Sequence, residues 1–263
     1  MMYYNIISDF FLGLCNSARI DLLAFMFFDN AKIRNLFLKM CKYNFVMHFL
    51  PLILIKICFW LFNVSFHSVL YMIIYPINIF SILFHLLHYL DLVNIACVHA
   101  PKTSKSGNAF DSASLAITMG IYNLVIYFTT VLIDLIFFDS FYLLAFLIKF
   151  LILTIYHSFY CFNNLWQYKK IKMFYRIDMH EKLWPYYIGY GSLATIIYLY
   201  TEHPFMLGMY NLYMALALTL PFLVEEKYPR VKDIPYPSIN LTIFSYLVGC
   251  VFKLSKRILG SVN

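Results

Sequence analysis

Lysine and arginine are sorted along this chain in a way that leaves few folds open. Of the twenty, five fall before residue 44, two between 91 and 114, five between 163 and 184, and six after 225. The gaps at 63–66, 139–140 and 201–204 carry none, and only Lys56 and Lys149 lie inside apolar runs. A chain shows this alternation when its apolar runs cross a bilayer in pairs and its basic loops stay on the cytoplasmic side. A soluble fold spreads its charge and carries more of it: 13% of these residues are charged and 62% hydrophobic, where about 25% charge is ordinary. The net charge of +7 therefore reads as topology, with both termini cytosolic, and not as a nucleic-acid surface.

The expected fold is all-α: a polytopic integral membrane protein of about six transmembrane or partly re-entrant helices, with interfacial amphipathic helices at both ends. Its parts are an interfacial N-terminal region at 1–43, a transmembrane helical domain at 44–224 and a cytosolic tail at 225–263. The spans fall at about 44–65 (kinked at Pro51), 67–90 (kinked at Pro76), 115–138, 141–162, 185–200 and 205–224. The fifth is short for a full crossing, so the 185–224 hairpin is open to a re-entrant reading; the charge asymmetry would be the same. No removable signal peptide is expected, because the first twenty residues lack a basic leader and a small-residue cleavage site.

Residues 5–28 place Asp9, Gly13, Asn16, Ser17 and Asp21 near one side, which predicts an amphipathic helix in the membrane interface or half inserted in it. Asp29-Asn30 then offers a helix cap, and Ile33, Leu36, Phe37 and Met40 form an apolar face opposite Lys32, Asn35, Lys39 and Lys42. No Gly or Pro occurs between Gly120 and Pro185. A helix starting near Phe141 is therefore expected to run past Trp166 and Met173 to about Ile177. Beyond the Pro-rich hinge at Pro229, Pro235 and Pro237, the tail reads as a basic amphipathic helix on the membrane face.

Ionisable side chains in hydrocarbon are costly and therefore candidates for function. Lys56 and Lys149 fall at similar depth, with Asp134 nearer the lumen and within lysine reach; the cluster reads as a packing ion pair or as a counter-charged anion path. The basic bridge (Lys169, Lys170, Lys172, Arg176, Lys182) and the tail (Lys253, Lys256, Arg257) suit anionic lipid or an acidic partner, or serve only to fix topology. Asp178, His180 and Glu181 are expected to be solvated on that bridge. His85, His88 and Asp91 lack further donors for a metal, the cysteines have no zinc spacing, and no nucleophile constellation or phosphate loop occurs. Neither a catalytic set nor a cofactor or metal is expected.

Two stretches carry a family resemblance. Tyr160-Cys161-Phe162 followed by Trp166, and Met179-His180-Glu181 leading to Trp184-Pro185-Tyr186-Tyr187 and Gly189-Tyr190-Gly191, closely resemble the eukaryotic etoposide-induced protein 2.4 family, relatives of the bacterial CysZ sulfate permeases. The similarity runs from roughly Val69 to Arg257, with Asn163 where an acidic residue is usual. The resemblance implies a non-enzymatic protein of the endoplasmic-reticulum membrane that supports autophagosome formation and maturation, with ties to growth and apoptosis control. Its partners would be the lipid bilayer, anionic lipids, autophagy or other membrane proteins, and further copies of itself. The bacterial branch implies the alternative, a sulfate or anion permease working through Lys56 and Lys149.

Overall fold

A computed structural model of the chain describes residues 2–62, 88–89, 91–96, 129–130, 132–133, 136, 141–201 and 204–224. These are almost entirely helical. In chain order the helices are α1 (Met2–Ser17), α2 (Ile20–Asp29), α3 (Ala31–Asn44), a π-helical turn (Phe45–Phe49), α4 (Leu50–Phe62), α5 (Tyr142–Tyr168), α6 (Met173–Lys182), α7 (Trp184–Leu199) and α8 (Pro204–Leu223). Among the described residues, three helical stretches are long and apolar enough to cross a membrane: Asn5–Asp29, Tyr142–Tyr168 and Phe205–Leu223. The first of them is interrupted at Ala18-Arg19. At 16 residues, α7 spans about 24 Å, short of a ~30 Å hydrocarbon layer. Apart from residues 88–89, 129–130, 132–133 and 136, the expected second and third spans and the tail lie outside the described residues.

The chain forms two compact units, one built from Met1–Ala18 and Lys102–Ser192, with Glu226–Asn263, and the other from Arg19–Pro101 and Leu193–Glu225. In the first, α1 packs on the start of α7 through glycines. A Cβ on Gly13 would sit 2.9 Å from the backbone nitrogen of Tyr190, and one on Gly189 would sit 3.0 Å from that of Leu14. Each helix thus presents a glycine to the other's backbone, the close approach that small residues permit between apolar helices. Asn16 adds a hydrogen bond from Nδ2 to the Tyr186 hydroxyl at 3.1 Å. On α1, Gly13 and Ser17, of its small and polar side, are buried, whereas Ile7, Phe11 and Leu12 are exposed.

In the second unit Asn30 caps α3 as expected, its Oδ1 accepting from the Lys32 and Ile33 N–H groups at 3.0 and 3.3 Å. Ile33 and Met40 are fully buried, so the predicted apolar face does turn inward. The kink expected at Pro51 takes the form of the π turn just before it. Pro51 withholds the N–H that the Met47 carbonyl would accept, and the helix widens by one residue, with the Leu50 N–H reaching back to Phe45.

A second expectation fails at the end of α5. The helix does not continue to Ile177; it stops at Tyr168, and Lys170 takes a left-handed backbone (φ 56°). The Ile171 N–H bonds the Trp166 carbonyl and the Lys170 N–H bonds that of Gln167, both at 2.9 Å. That is the Schellman stop, which usually has glycine where Lys170 stands. No helix breaker announces it.

Candidate functional site

The residues that carry the family resemblance converge in the first unit, where α6 and the start of α7 fold back onto α5. Arg176, His180, Leu183 and Tyr187 recur at spacings of four, three and four, one helical face, and all four are buried. Opposite them α5 presents Ser158, Phe159, Phe162, Asn163 and Trp166, also buried.

His180 occupies the middle of this face and is 1% exposed, which corrects its placement among solvated bridge residues. Its ring stacks on Tyr187 with centroids 4.3 Å apart and planes 13° apart. The Trp166 ring meets both edge-on, at 6.3 Å from His180 and 5.7 Å from Tyr187. Phe162 closes the cluster against Tyr187 and Tyr190 at 5.2 and 4.8 Å. Such edge-to-face pairs add about 0.5–1.5 kcal/mol each beyond the apolar area they bury.

His180 Nε2 lies 2.9 Å from the Ser158 hydroxyl, which in turn donates to the Ile155 carbonyl at 2.9 Å. With its single hydrogen committed, that hydroxyl accepts from Nε2–H, and the lone pair is left on Nδ1. Nδ1 and the Trp166 Nε1 are buried without a hydrogen-bond partner among the described residues. Burial away from water pushes the His180 pKa down to about 3, so the ring is neutral at physiological pH. Ser158 is itself fully buried. A serine and a histidine in contact would suggest a nucleophile and its base. Here the hydroxyl hydrogen goes to the backbone and the serine has no exposed surface, so the pair fastens α6 to α5.

The second fastening is Arg176, 7% exposed, whose place among lipid-facing cations is corrected. Its Nε donates to the Ile171 carbonyl and its Nη1 to Asn163 Oδ1, both at 2.7 Å. Burial lowers its pKa to about 10, which still leaves it charged at neutral pH. Arg176 therefore locks the turn it follows. On the outer side of α6, Lys182 pairs with Asp178 at 2.8 Å.

The remaining predicted residues divide clearly. Gly189 and Gly191 are crossing points, Gly191 against the Thr154 backbone; Cys161 and Pro185 are buried; Tyr160, Trp184 and Tyr186 are half-buried. Lys170 and Lys172 are exposed and Lys169 is half-buried; Lys253, Lys256 and Arg257 lie outside the described residues. Lys56 is exposed on α4 and Lys149 half-buried on α5, while Asp134 falls outside the described residues. Of the cysteines described, Cys15 is exposed, Cys41 half-buried and Cys161 buried. No group of three or more His, Cys, Asp or Glu side chains comes together among the described residues.

Sequence reasoning missed a polar cluster in the second unit. His48, in the π turn, lies with Nε2 3.4 Å from Asn211 Nδ2, and Tyr89 donates its hydroxyl to the Asn211 carbonyl at 2.6 Å. Asn44, one turn earlier, is fully buried. The signal available was the His48–Pro51 spacing, since a proline displaces the helical register of the residues just before it.

No family model matches the chain, and no solved structure does. Uncharacterized protein L211 of Acanthamoeba polyphaga mimivirus is 40% identical over 259 residues, 98% of each chain. Likeness at that level runs over nearly the whole length of both, and the chain belongs to the family of that mimivirus protein.

Proposed function

We propose that this chain is a non-enzymatic, multi-span membrane protein of the endoplasmic reticulum that supports autophagosome formation. The observation that carries the membrane reading is the sidedness of its helices. Phe28 and Trp60 are each 82% exposed and Tyr142 79%, whereas Asn44, His157, Ser158, Asn163 and Thr195 are buried. A soluble bundle arranges these the other way round. Helices in lipid gain nothing by hiding apolar side chains and join through small residues and internally satisfied polar groups. Thr154, Ser158, Ser192 and Thr219 all return their hydroxyl hydrogens to carbonyls of their own helix, as lipid-embedded helices require.

The reticulum and the autophagosome enter through the resemblance of Tyr160–Trp166 and Trp184–Gly191 to the etoposide-induced protein 2.4 family. Protease protection of tags at 104, 139, 170 and 202 tests the membrane arrangement. Tags at 104 and 170 are digested from the cytosolic side and those at 139 and 202 are protected; protection at 170 overturns it. Depletion of the chain in cells that carry it is expected to stall autophagosome maturation. Unimpaired maturation, with sulfate flux in proteoliposomes that Lys56→Met or Lys149→Met abolishes, replaces this role with that of a permease.

A further inference from the structure

We infer that the turn at the end of α5 is a clasp for the phosphate of an anionic phospholipid, made by Lys170 and Lys172. The inference rests on the membrane reading above and adds a ligand to it. Its first support is the backbone. Lys170 holds the left-handed conformation that glycine adopts freely, and a side chain held there carries a conformational cost that points to a use.

The second support is the fate of the helix carbonyls. Lysines near a helix C-terminus commonly serve its last carbonyls. Here those of Leu165, Trp166 and Gln167 are taken by the backbone N–H groups of Lys169, Ile171 and Lys170, each at 2.9 Å. The ammonium groups are not needed for capping.

The third is charge. Lys170 and Lys172 are exposed, and among the described residues neither is paired with a carboxylate; Asp178 is taken by Lys182. Arg176 is buried against Asn163 and the turn's own carbonyl, so it shapes the clasp from beneath without entering it.

The fourth is depth. The two lysines follow directly on a 27-residue apolar helix that ends in Tyr168, and Tyr175 just beyond is 58% exposed, as aromatic rings at the headgroup level are. Both ammoniums thus stand where lipid phosphates lie, each worth about fivefold in affinity for an anionic surface.

The test uses the full chain in dodecyl maltoside, with melting followed as dioleoyl phosphatidic acid, dioleoyl phosphatidylcholine or inorganic phosphate is added. Phosphatidic acid is expected to raise the melting temperature saturably, and the other two to leave it unchanged. Lys170→Gln with Lys172→Gln weakens the apparent affinity about thirtyfold. Lys170→Gly melts higher than the parent without lipid yet binds phosphatidic acid about fivefold more weakly, a split that a purely structural lysine does not produce. An equal response to phosphatidylcholine or to inorganic phosphate overturns the clasp, as does an undiminished response in the double variant. Displacement of the lipid by a soluble poly-glutamate peptide at equal charge overturns it in favour of an acidic protein partner. Alkaline carbonate separates the two layers of the argument. Release of the chain from membranes defeats the membrane reading, whereas retention with no response to phosphatidic acid defeats the clasp alone.

Discussion

Gly191→Ala places a methyl group where α7 crosses α5. It would sit 2.8 Å from the Thr154 carbonyl carbon and 3.0 Å from its Cα. Carbon atoms in contact stand about 3.5–4.0 Å apart, and the Thr154 carbonyl oxygen would lie nearer still, so the helices must separate by about 1 Å or more. A gap of that size forfeits about half of the dispersion attraction across the crossing; for about thirty atom pairs at about 0.15 kcal/mol each, that is about 2 kcal/mol. The obstacle is backbone and cannot rotate aside, which adds about 1–2 kcal/mol of overpacking strain. Alanine returns about 1 kcal/mol of helix propensity. The net loss is about 2–3 kcal/mol, or about 4–12 °C in melting temperature for a chain of this size.

Gly208→Ala is the matched control. Its new methyl group would meet the His48 Cβ at 3.3 Å and two Phe49 ring atoms at 3.5 Å, side-chain neighbours able to yield by a few tenths of an ångström. With the same gain in propensity, that variant melts at or slightly above the parent. Both are read by thermal denaturation of the purified chain in dodecyl maltoside. A Gly191→Ala variant melting within about 1 °C of the parent, or a Gly208→Ala variant falling as far as the other, refutes the close-approach argument.

Two further outcomes follow from the α5–α6 interface. An unfolded histidine titrates near 6.5 and folded His180 at about 3, so the unfolded state binds more protons between those values and stability is lost as pH falls through that window. At pH 5 the loss is about 2 kcal/mol, and His180→Gln, which keeps a donor for Ser158, should remove that share of the difference between melts at pH 7 and pH 5. Arg176→Met leaves the Ile171 carbonyl and the Asn163 amide oxygen without their donor. It is expected to cost about 2 kcal/mol and to open the Lys169–Lys172 turn to trypsin, whereas Asn163→Asp, by supplying a counter-charge, should slow that cleavage.

What was legible in the sequence was whatever local chemistry alone determines. The Asn30 cap, the Ile33 and Met40 face and the disturbance at Pro51 each follow from a side chain acting on its own helix, and each is found. The stop at Lys170 was hidden because it has neither glycine nor proline; tertiary contacts hold it, chiefly the Arg176 reach to the Ile171 carbonyl. His180 and Arg176 sit in a run of charged residues that looks solvated, and only the spacing 176, 180, 183, 187 marks them as an inner face. The inward turn of Gly13 and Asn16 escaped for a different reason. Amphipathicity says that a helix has two sides, but the solvent decides which side is hidden, and in lipid the small and polar side packs on a neighbour.

The guanidinium of Arg176 has one more effect, on how the chain is made. Held by two neutral oxygens, with its pKa near 10, it stays ionised at neutral pH, unlike a lysine or histidine that more readily sheds its proton in an apolar layer. On the membrane arrangement proposed above, drawing the link to α7 through the bilayer behind α5 would carry a fixed charge across hydrocarbon. That cost would hold the proposed orientation of the hairpin against rearrangement by the segments made after it.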